Sequence, residues 1–162
     1  MKKLFFALLA ILLLSCTFKQ PTTFSEEALN DIFLNLDKQP VKFKEILNKY
    51  KGKKVVITIW ASWCGDCREA IPDEKKLQKE NTDVIFLHLS LDRDIESWKL
   101  GIEKLGLKGE HYFMQSGWKG DFGSFLNLSW IPRYLVLSEK GDIEVFNVIK
   151  PNDKLIMESL KK

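Results

Sequence analysis

The chain is poor in the residue types on which several protein classes depend. Of its 162 residues only three are cysteine and two are histidine. Three cysteines are too few for a small scaffold stapled by disulfides, and too few for a four-cysteine zinc site. Charge of one sign is equally scarce. The 25 Lys and Arg stand against 22 Asp and Glu, a formal net charge of +3, and so weak a balance gives no reason to expect a nucleic-acid partner. No apolar run approaches the roughly 20 residues that a membrane-spanning helix needs; the longest runs from Leu4 to Leu14. Internal repeats and low-complexity tracts are missing. What is there is an ordinary globular composition, 45% hydrophobic and 29% charged, with eleven Phe and five Trp to build a core. The length suits one domain of roughly 100–150 residues with a short extension.

The extension is at the N-terminus. Lys2 and Lys3 precede the apolar run, which is the arrangement of a secretory signal. The run ends in Leu13-Leu14-Ser15-Cys16, which resembles a bacterial lipobox, where the signal is cut before a Cys that is then lipidated. Leu13 and Ser15 fit that pattern, and Leu14 is bulkier than usual there. The alternative is an ordinary signal with a chance Cys near its end. Cysteine arithmetic favours the lipoprotein, because lipidation of Cys16 leaves the other two as a pair and no thiol over. On this reading residues 1–15 are the signal peptide and residues 16–25, polar and carrying Pro21, are a tether. Residues 26–162 are the domain. The mature protein is then exported and lipid-anchored to a bacterial membrane, facing the periplasm or the exterior. Losing Lys2 and Lys3 brings its charge close to neutral.

Within the domain, Ile32 to Leu36 reads as a short strand and Phe43 to Tyr50 as a helix stopped by Gly52. Lys54 to Trp60 is β-branched and almost wholly apolar, which suits a central strand covered on both faces. Residues 66–80 read as a helix with Pro72 as a kink, and Val84 to Leu91 as a second buried strand. Asp94 is placed to cap a helix ending at Gly106. His111 to Gln115 reads as a strand, Ser116 to Gly123 as a loop, and Asp121 as the cap of a short helix. Arg133 to Ser138 and Asp142 to Val148 form a hairpin, and Asn152 or Asp153 caps a last helix to Leu160. The order predicts an α/β layer fold with a mixed sheet.

The chemistry lies in Trp60-Ala61-Ser62-Trp63-Cys64-Gly65-Asp66-Cys67-Arg68. Two intervening residues put both sulfurs near one helix N-terminus, within reach of a disulfide. There the first sulfur meets unsatisfied N–H groups and the positive end of the helix dipole, which favours the thiolate, the nucleophilic form. Cys64 is thus the expected attacking group, and Cys67, under the first turn, the resolving one. The competing readings are half of a zinc site or a structural disulfide. Zinc would need four protein ligands, and only His88 and His111 remain to supply the others.

The same residues resemble thioredoxin, and the longer pattern resembles the extracytoplasmic TlpA/ResA-like branch of the thioredoxin superfamily. Val55 to Cys64 matches that branch's strand and its approach to the active site, and Pro72 matches its helix proline. Ile131-Pro132-Arg133-Tyr134-Leu135-Val136-Leu137 resembles its cis-proline loop and following strand, and Gly141-Asp142-Ile143 its hairpin. The resemblance covers about residues 24–160. It implies a thioredoxin-like fold, a central mixed β-sheet flanked by helices. It implies a thiol-disulfide oxidoreductase, a reductase of disulfide-bearing extracytoplasmic proteins, supplied with electrons by a membrane donor and needing neither metal nor bound cofactor. Pro132 is then cis and lies against the cysteines, and the Ile131 backbone pairs with an extended substrate segment.

Trp63, Gly65 and Asp66 are expected to support the site, with Trp63 bordering the sulfur. Three departures from the family pattern bear on chemistry. Gly65-Asp66 stands where thioredoxin has Gly-Pro, and a carboxylate there opposes thiolate formation. Thr58 stands where thioredoxin has a buried Asp. Ala70 stands where the branch often has an acid, with Glu69 one place earlier, about 100° around the helix and more readily read as a solvated charge. Proton transfer at Cys67 is therefore unassigned. Two other functions are weighed. A peroxiredoxin-like peroxidase would need Pro and Thr where Ile57 and Ala61 stand. A copper-binding metallochaperone of the same superfamily would use one more residue between the cysteines. Trp60, Trp98 and Trp118 read as packing, Trp130 as a possible edge of the substrate groove, and His88 as a core residue.

Overall fold

Val55–Trp60 forms a strand in which all six residues are buried. A strand covered on both faces must have partners along both edges and a layer above and below it. The computed structural model, which describes residues 20–161, supplies both. The expected signal peptide and the expected lipidation site Cys16 lie outside the described residues.

In chain order the elements are α1 (Glu26–Asn30), β1 (Ile32–Leu34), β2 (Pro40–Lys42), α2 (Phe43–Lys49), β3 (Val55–Trp60), α3 (Gly65–Glu80) and β4 (Ile85–Ser90). There follow α4 (Ile95–Leu105), β5 (Glu110–Phe113), α5 (Asp121–Phe125), β6 (Arg133–Leu137), β7 (Ile143–Val148) and α6 (Lys154–Leu160). They build one seven-stranded sheet in the order β2-β1-β5-β4-β3-β6-β7. β3 pairs in parallel with β4 and antiparallel with β6, β4 pairs in parallel with β5, and the outer pairings are antiparallel. The fold is the thioredoxin-like α/β arrangement, a mixed central sheet flanked by helices.

Alternation along β3 sorts the core into two layers. Val55, Ile57 and Ile59 face one cluster with Phe24, Phe33, Phe43 and Phe122. Val56 faces the other, with Leu77 of α3, Val136, Val145 and Ile156 of α6. The first layer is an aromatic knot. Phe43 meets Phe122 at 4.6 Å between ring centroids and Phe24 at 4.9 Å, both edge-on, the geometry that ring quadrupoles favour.

Several boundaries fall where the sequence places them. Asp94 caps α4 by accepting from the Ser97 N–H at 2.7 Å, and Gly106 ends it with φ 57°. Asp153 caps α6. Two short elements go beyond what the sequence pattern marks, and two readings need correction. Glu26–Asn30 is a helix capped by Ser25, and Pro40–Lys42 is an edge strand; both are too short to show periodicity. Gly120, not Asp121, occupies the N-cap of α5, and Asp121 is its first residue. The strand read at His111 to Gln115 begins at Glu110 and ends at Phe113. The domain also packs from earlier than residue 26: Phe24 sits in the aromatic knot, and the Thr22 carbonyl accepts from the Ile143 N–H at 2.7 Å.

Truncating the hub of that knot leaves a cavity that rigid neighbouring rings fill poorly. Phe43→Ala is expected to lower the unfolding free energy by about 3–5 kcal/mol, read by chemical denaturation. A loss below about 1 kcal/mol would show that the knot does not carry the layer.

Candidate active site

β3 ends at Trp60, the chain turns through Ala61 to Trp63, and Cys64 becomes the N-cap of the 16-residue helix α3. Its Sγ accepts from the Cys67 N–H at 3.1 Å, so the sulfur takes up one of the helix's orphan donors. Cys64 and Cys67 are joined as a disulfide with their Cα atoms 5.3 Å apart. The Ile131 carbonyl lies 3.6 Å from Cys64 Sγ, and the Ile131–Pro132 peptide is cis.

Exposure barely separates the two cysteines, at 6% for Cys64 and 4% for Cys67. Cys64 is therefore more covered than its place at a helix start suggests. The spaces around the two do separate them. Cys64 borders an open groove of about 360 Å³ lined by Trp63, Gly65, Asp66, Trp118, Trp130 and Ile131. Trp63 and Trp130 stand 49% and 56% exposed on its rim. Cys67 instead borders a small interior cavity with Thr58, Trp60, Glu74, His88, Pro132 and Tyr134. The structure thus brings together all the expected site residues among those described. Glu69 is exposed on α3, away from the interior cavity.

The turn that delivers Cys64 is held by Arg68 of the same motif and by two residues the sequence does not mark, Asp92 and Gly101. Buried Asp92, just past the end of β4, accepts from the Ser62 N–H at 3.0 Å and from the hydroxyls of Ser62 and Ser90 at 2.6 and 2.8 Å. Arg68 donates to the Ser62 carbonyl at 3.1 Å. Gly101 of α4 lies so close that a Cβ there would come within 2.5 Å of Ser62 Cβ. Asp31 performs a similar service for the segment carrying Trp118, accepting from Ser116 Oγ at 2.8 Å and from the Phe122 N–H at 2.9 Å.

Behind Cys67 is a buried polar cluster. Glu74 Oε2 accepts from the Tyr134 hydroxyl at 3.0 Å and, more weakly, from the Thr58 hydroxyl at 3.5 Å. Its Oε1 is 3.4 Å from His88 Nδ1 without hydrogen-bond alignment. His88 Nε2 lies 3.0 Å from the Lys108 carbonyl. A carbonyl only accepts, so Nε2 carries the proton and Nδ1 of the neutral His88 ring, beside Glu74, is left unprotonated. Burial pushes Glu74 up to about 7, against its hydrogen bonds from Tyr134 and Thr58. Burial pulls His88 down to about 4, and the stacked His111, 4.9 Å away, down to about 4 as well. The sequence did hold a signal for Glu74: it lies seven residues after Cys67, two turns along the same helical face.

Among the described residues, no group of three or more His, Cys, Asp and Glu is placed to hold a metal ion, and no helix is long and apolar enough to cross a membrane.

A paired-cysteine helix start opposite a cis-proline on this sheet defines the class of thioredoxin-fold thiol-disulfide oxidoreductases. The chain belongs to the Redoxin family, whose profile matches residues 22–158. It is 29% identical over 109 residues to the thioredoxin-like protein YneN of Bacillus subtilis, an alignment covering 65% of this chain and 62% of that protein's length. A candidate thiol-disulfide oxidoreductase of Bacteroides vulgatus, known from a solution structure, superposes with a TM-score of 0.66 at 29% identity, covering 80% of this chain and 83% of that one. A thiol-disulfide oxidoreductase of Bacteroides fragilis shares the fold, with a TM-score of 0.68 at 23% identity over 84% of this chain and 98% of that one.

The buried cluster predicts a pH signature. Glu74 keeps its proton in the folded protein up to about 7, against an ordinary value of 4.5. Its contribution to stability is therefore full below the ordinary value and lost as pH rises through 7. His88 and His111, held near 4 against 6.5, contribute fully above 6.5 and lose that as pH falls through 4. Glu74→Gln removes only the first effect. The variant's unfolding free energy relative to the unsubstituted protein should thus rise between about pH 5 and pH 8, by a few kcal/mol. A difference that is flat with pH would show that Glu74 titrates at its ordinary value.

Proposed function

We propose that this protein is a membrane-tethered disulfide reductase of extracytoplasmic proteins, of the TlpA/ResA-like kind, working through the Cys64–Cys67 couple. The observation that carries the reading is the division of the two sulfurs between a wide open groove and a small, narrower cavity. In the reduced protein, the Cys64 thiolate attacks a substrate disulfide and one substrate sulfur leaves as thiolate. Cys67 then displaces the second, and two electrons have passed from the cysteine pair to the substrate. A dithiol donor at the membrane restores the pair.

The reductase direction rests on the resemblance to the branch and on Asp66, which disfavours a strongly stabilised thiolate and so a strongly oxidising couple. The tether rests on Leu13-Leu14-Ser15-Cys16. The rim formed by Trp63 and Trp130, with the Ile131 backbone between, suits an extended polypeptide laid across Cys64.

Three results test this reading. Cys64→Ser should abolish reduction of a protein disulfide substrate, and Cys67→Ser should leave that substrate trapped on Cys64 as a mixed disulfide. Limiting alkylation of the reduced protein should label Cys64 first, and preferential labelling of Cys67 would reverse the roles. Mass spectrometry of the mature N-terminus should find a lipidated Cys16; an unmodified chain starting elsewhere would remove the anchor.

A further inference from the structure

We propose that Glu74, acting with His88, is the residue that takes the proton from Cys67 when Cys67 resolves the mixed disulfide, and returns it when the couple is re-reduced. This rests on the oxidoreductase reading and assigns the proton step that the Cys pair alone leaves open.

The geometry comes from one helix. Cys67 and Glu74 are both buried on α3, seven residues apart, a rise of about 10 Å. Helical side chains lean toward the N-terminus, so the Glu74 carboxyl reaches back toward the sulfur rather than away from it. Both line the same cavity, with about 10 Å³ of room for the centre of a water molecule, roughly what one water needs. Glu74, Thr58, His88 and Tyr134 offer such a water polar partners. The two positions where related proteins carry an acid hold Thr58 and Ala70, and the exposed Glu69 does not line the cavity.

The groups facing Glu74 make both of its protonation states accessible. Oε2 accepts from Tyr134 on β6 and Thr58 on β3, which stabilises the anion. Oε1 lies 3.4 Å from the unprotonated His88 Nδ1 on β4 and has no hydrogen-bond donor of its own, which leaves the anion uncompensated on that side. His111 on β5 stacks on His88, and burial together with His88 disfavours the charged form of His111. Asp73, on the same helix, acts on Tyr134. Burial raises Glu74 and the hydrogen bonds from Tyr134 and Thr58 lower it, so that it titrates at about 7, the range in which a proton acceptor and donor works best.

The step balances as follows. In the mixed disulfide, Cys67 S–H gives its proton through the water to the Glu74 carboxylate. The Cys67 thiolate attacks Cys64 Sγ, the bond from Cys64 to the substrate sulfur breaks, and its electron pair leaves with the substrate as a thiolate that is protonated by solvent. In re-reduction, one thiolate of the dithiol donor attacks Cys64 Sγ, Cys67 leaves as thiolate and the Glu74 carboxylic acid protonates it; the donor's second thiolate then displaces Cys64 as thiolate, and the donor leaves as a disulfide.

The test is single-turnover reaction of the reduced protein with an aryl disulfide that releases a coloured thiolate. The first thiolate reports attack by Cys64 and the second reports resolution by Cys67. The second phase in the unsubstituted protein should accelerate with pH through an inflection near 7. Gln offers the shape and the hydrogen bonds of a protonated Glu. Glu74→Gln should leave the first phase unchanged, slow the second roughly 100-fold at pH 7 and lose the inflection. His88→Gln puts an amide donor toward Oε1, favours the Glu74 anion and should move the inflection to lower pH. A Glu74→Gln protein whose second phase keeps the original rate and inflection overturns the relay while leaving the cysteine roles intact. If that variant does not fold, an inflection unmoved in His88→Gln overturns it instead. Absence of any first phase in the unsubstituted protein overturns the oxidoreductase reading, and the relay falls with it.

Discussion

The redox centre depends on the complete burial of β3. A strand with no solvated face cannot shift its register by one residue without driving its whole pattern to the wrong layer. Its neighbours are thereby fixed beside it, residue against residue, β4 from Val55 to Trp60 and β6 from Val55 to Ile59. The end of the strand is then a fixed point in space. The sulfur pair, the cis-proline at the start of β6 and Asp92 just past β4 all inherit their positions from it. The pair sits where a rigid strand hands the chain to the open N-terminus of the 16-residue helix α3.

From that point the two cysteines acquire different surroundings although their exposures are nearly equal. Three residues of helix turn one sulfur toward the tryptophan-lined groove and the other toward the interior. The polar groups behind Cys67 arise from the same alternation that builds the core. Val56 and Thr58 point to the α3 side of the sheet, where Val56 packs with Leu77 and Thr58 meets Glu74. One strand thus supplies an apolar contact and, two residues on, the wall of a polar cavity.

Much of this was legible in the sequence because the signals were local. The β-branched run marked β3, Asp94 and Gly106 bounded α4, and the spacing of Cys64 and Cys67 with Pro132 marked the site. What escaped was set by contacts between distant segments. α1 and β2 are each held by neighbours rather than by a pattern of their own. Phe24 looks like part of a polar linker until Phe43 and Phe122 close around it. Glu74 reads as one more charge on a Lys- and Glu-rich helix, since nothing nearby in sequence shows that Tyr134 and His88 arrive from two strands to bury it. Asp92 resembles an ordinary loop acid for the same reason.

The hydrogen bond from Ile143 to Thr22 has a consequence for orientation. Ile143 pairs with Leu137, and Leu137 pairs with Val55, the residue of β3 farthest from Cys64. The chain preceding Thr22 therefore joins the domain at the end of the sheet opposite the sulfurs, about 20 Å away by the rise of six strand residues. A domain fastened to a surface through that end presents its groove outward, and its reach is lengthened by the height of the sheet itself.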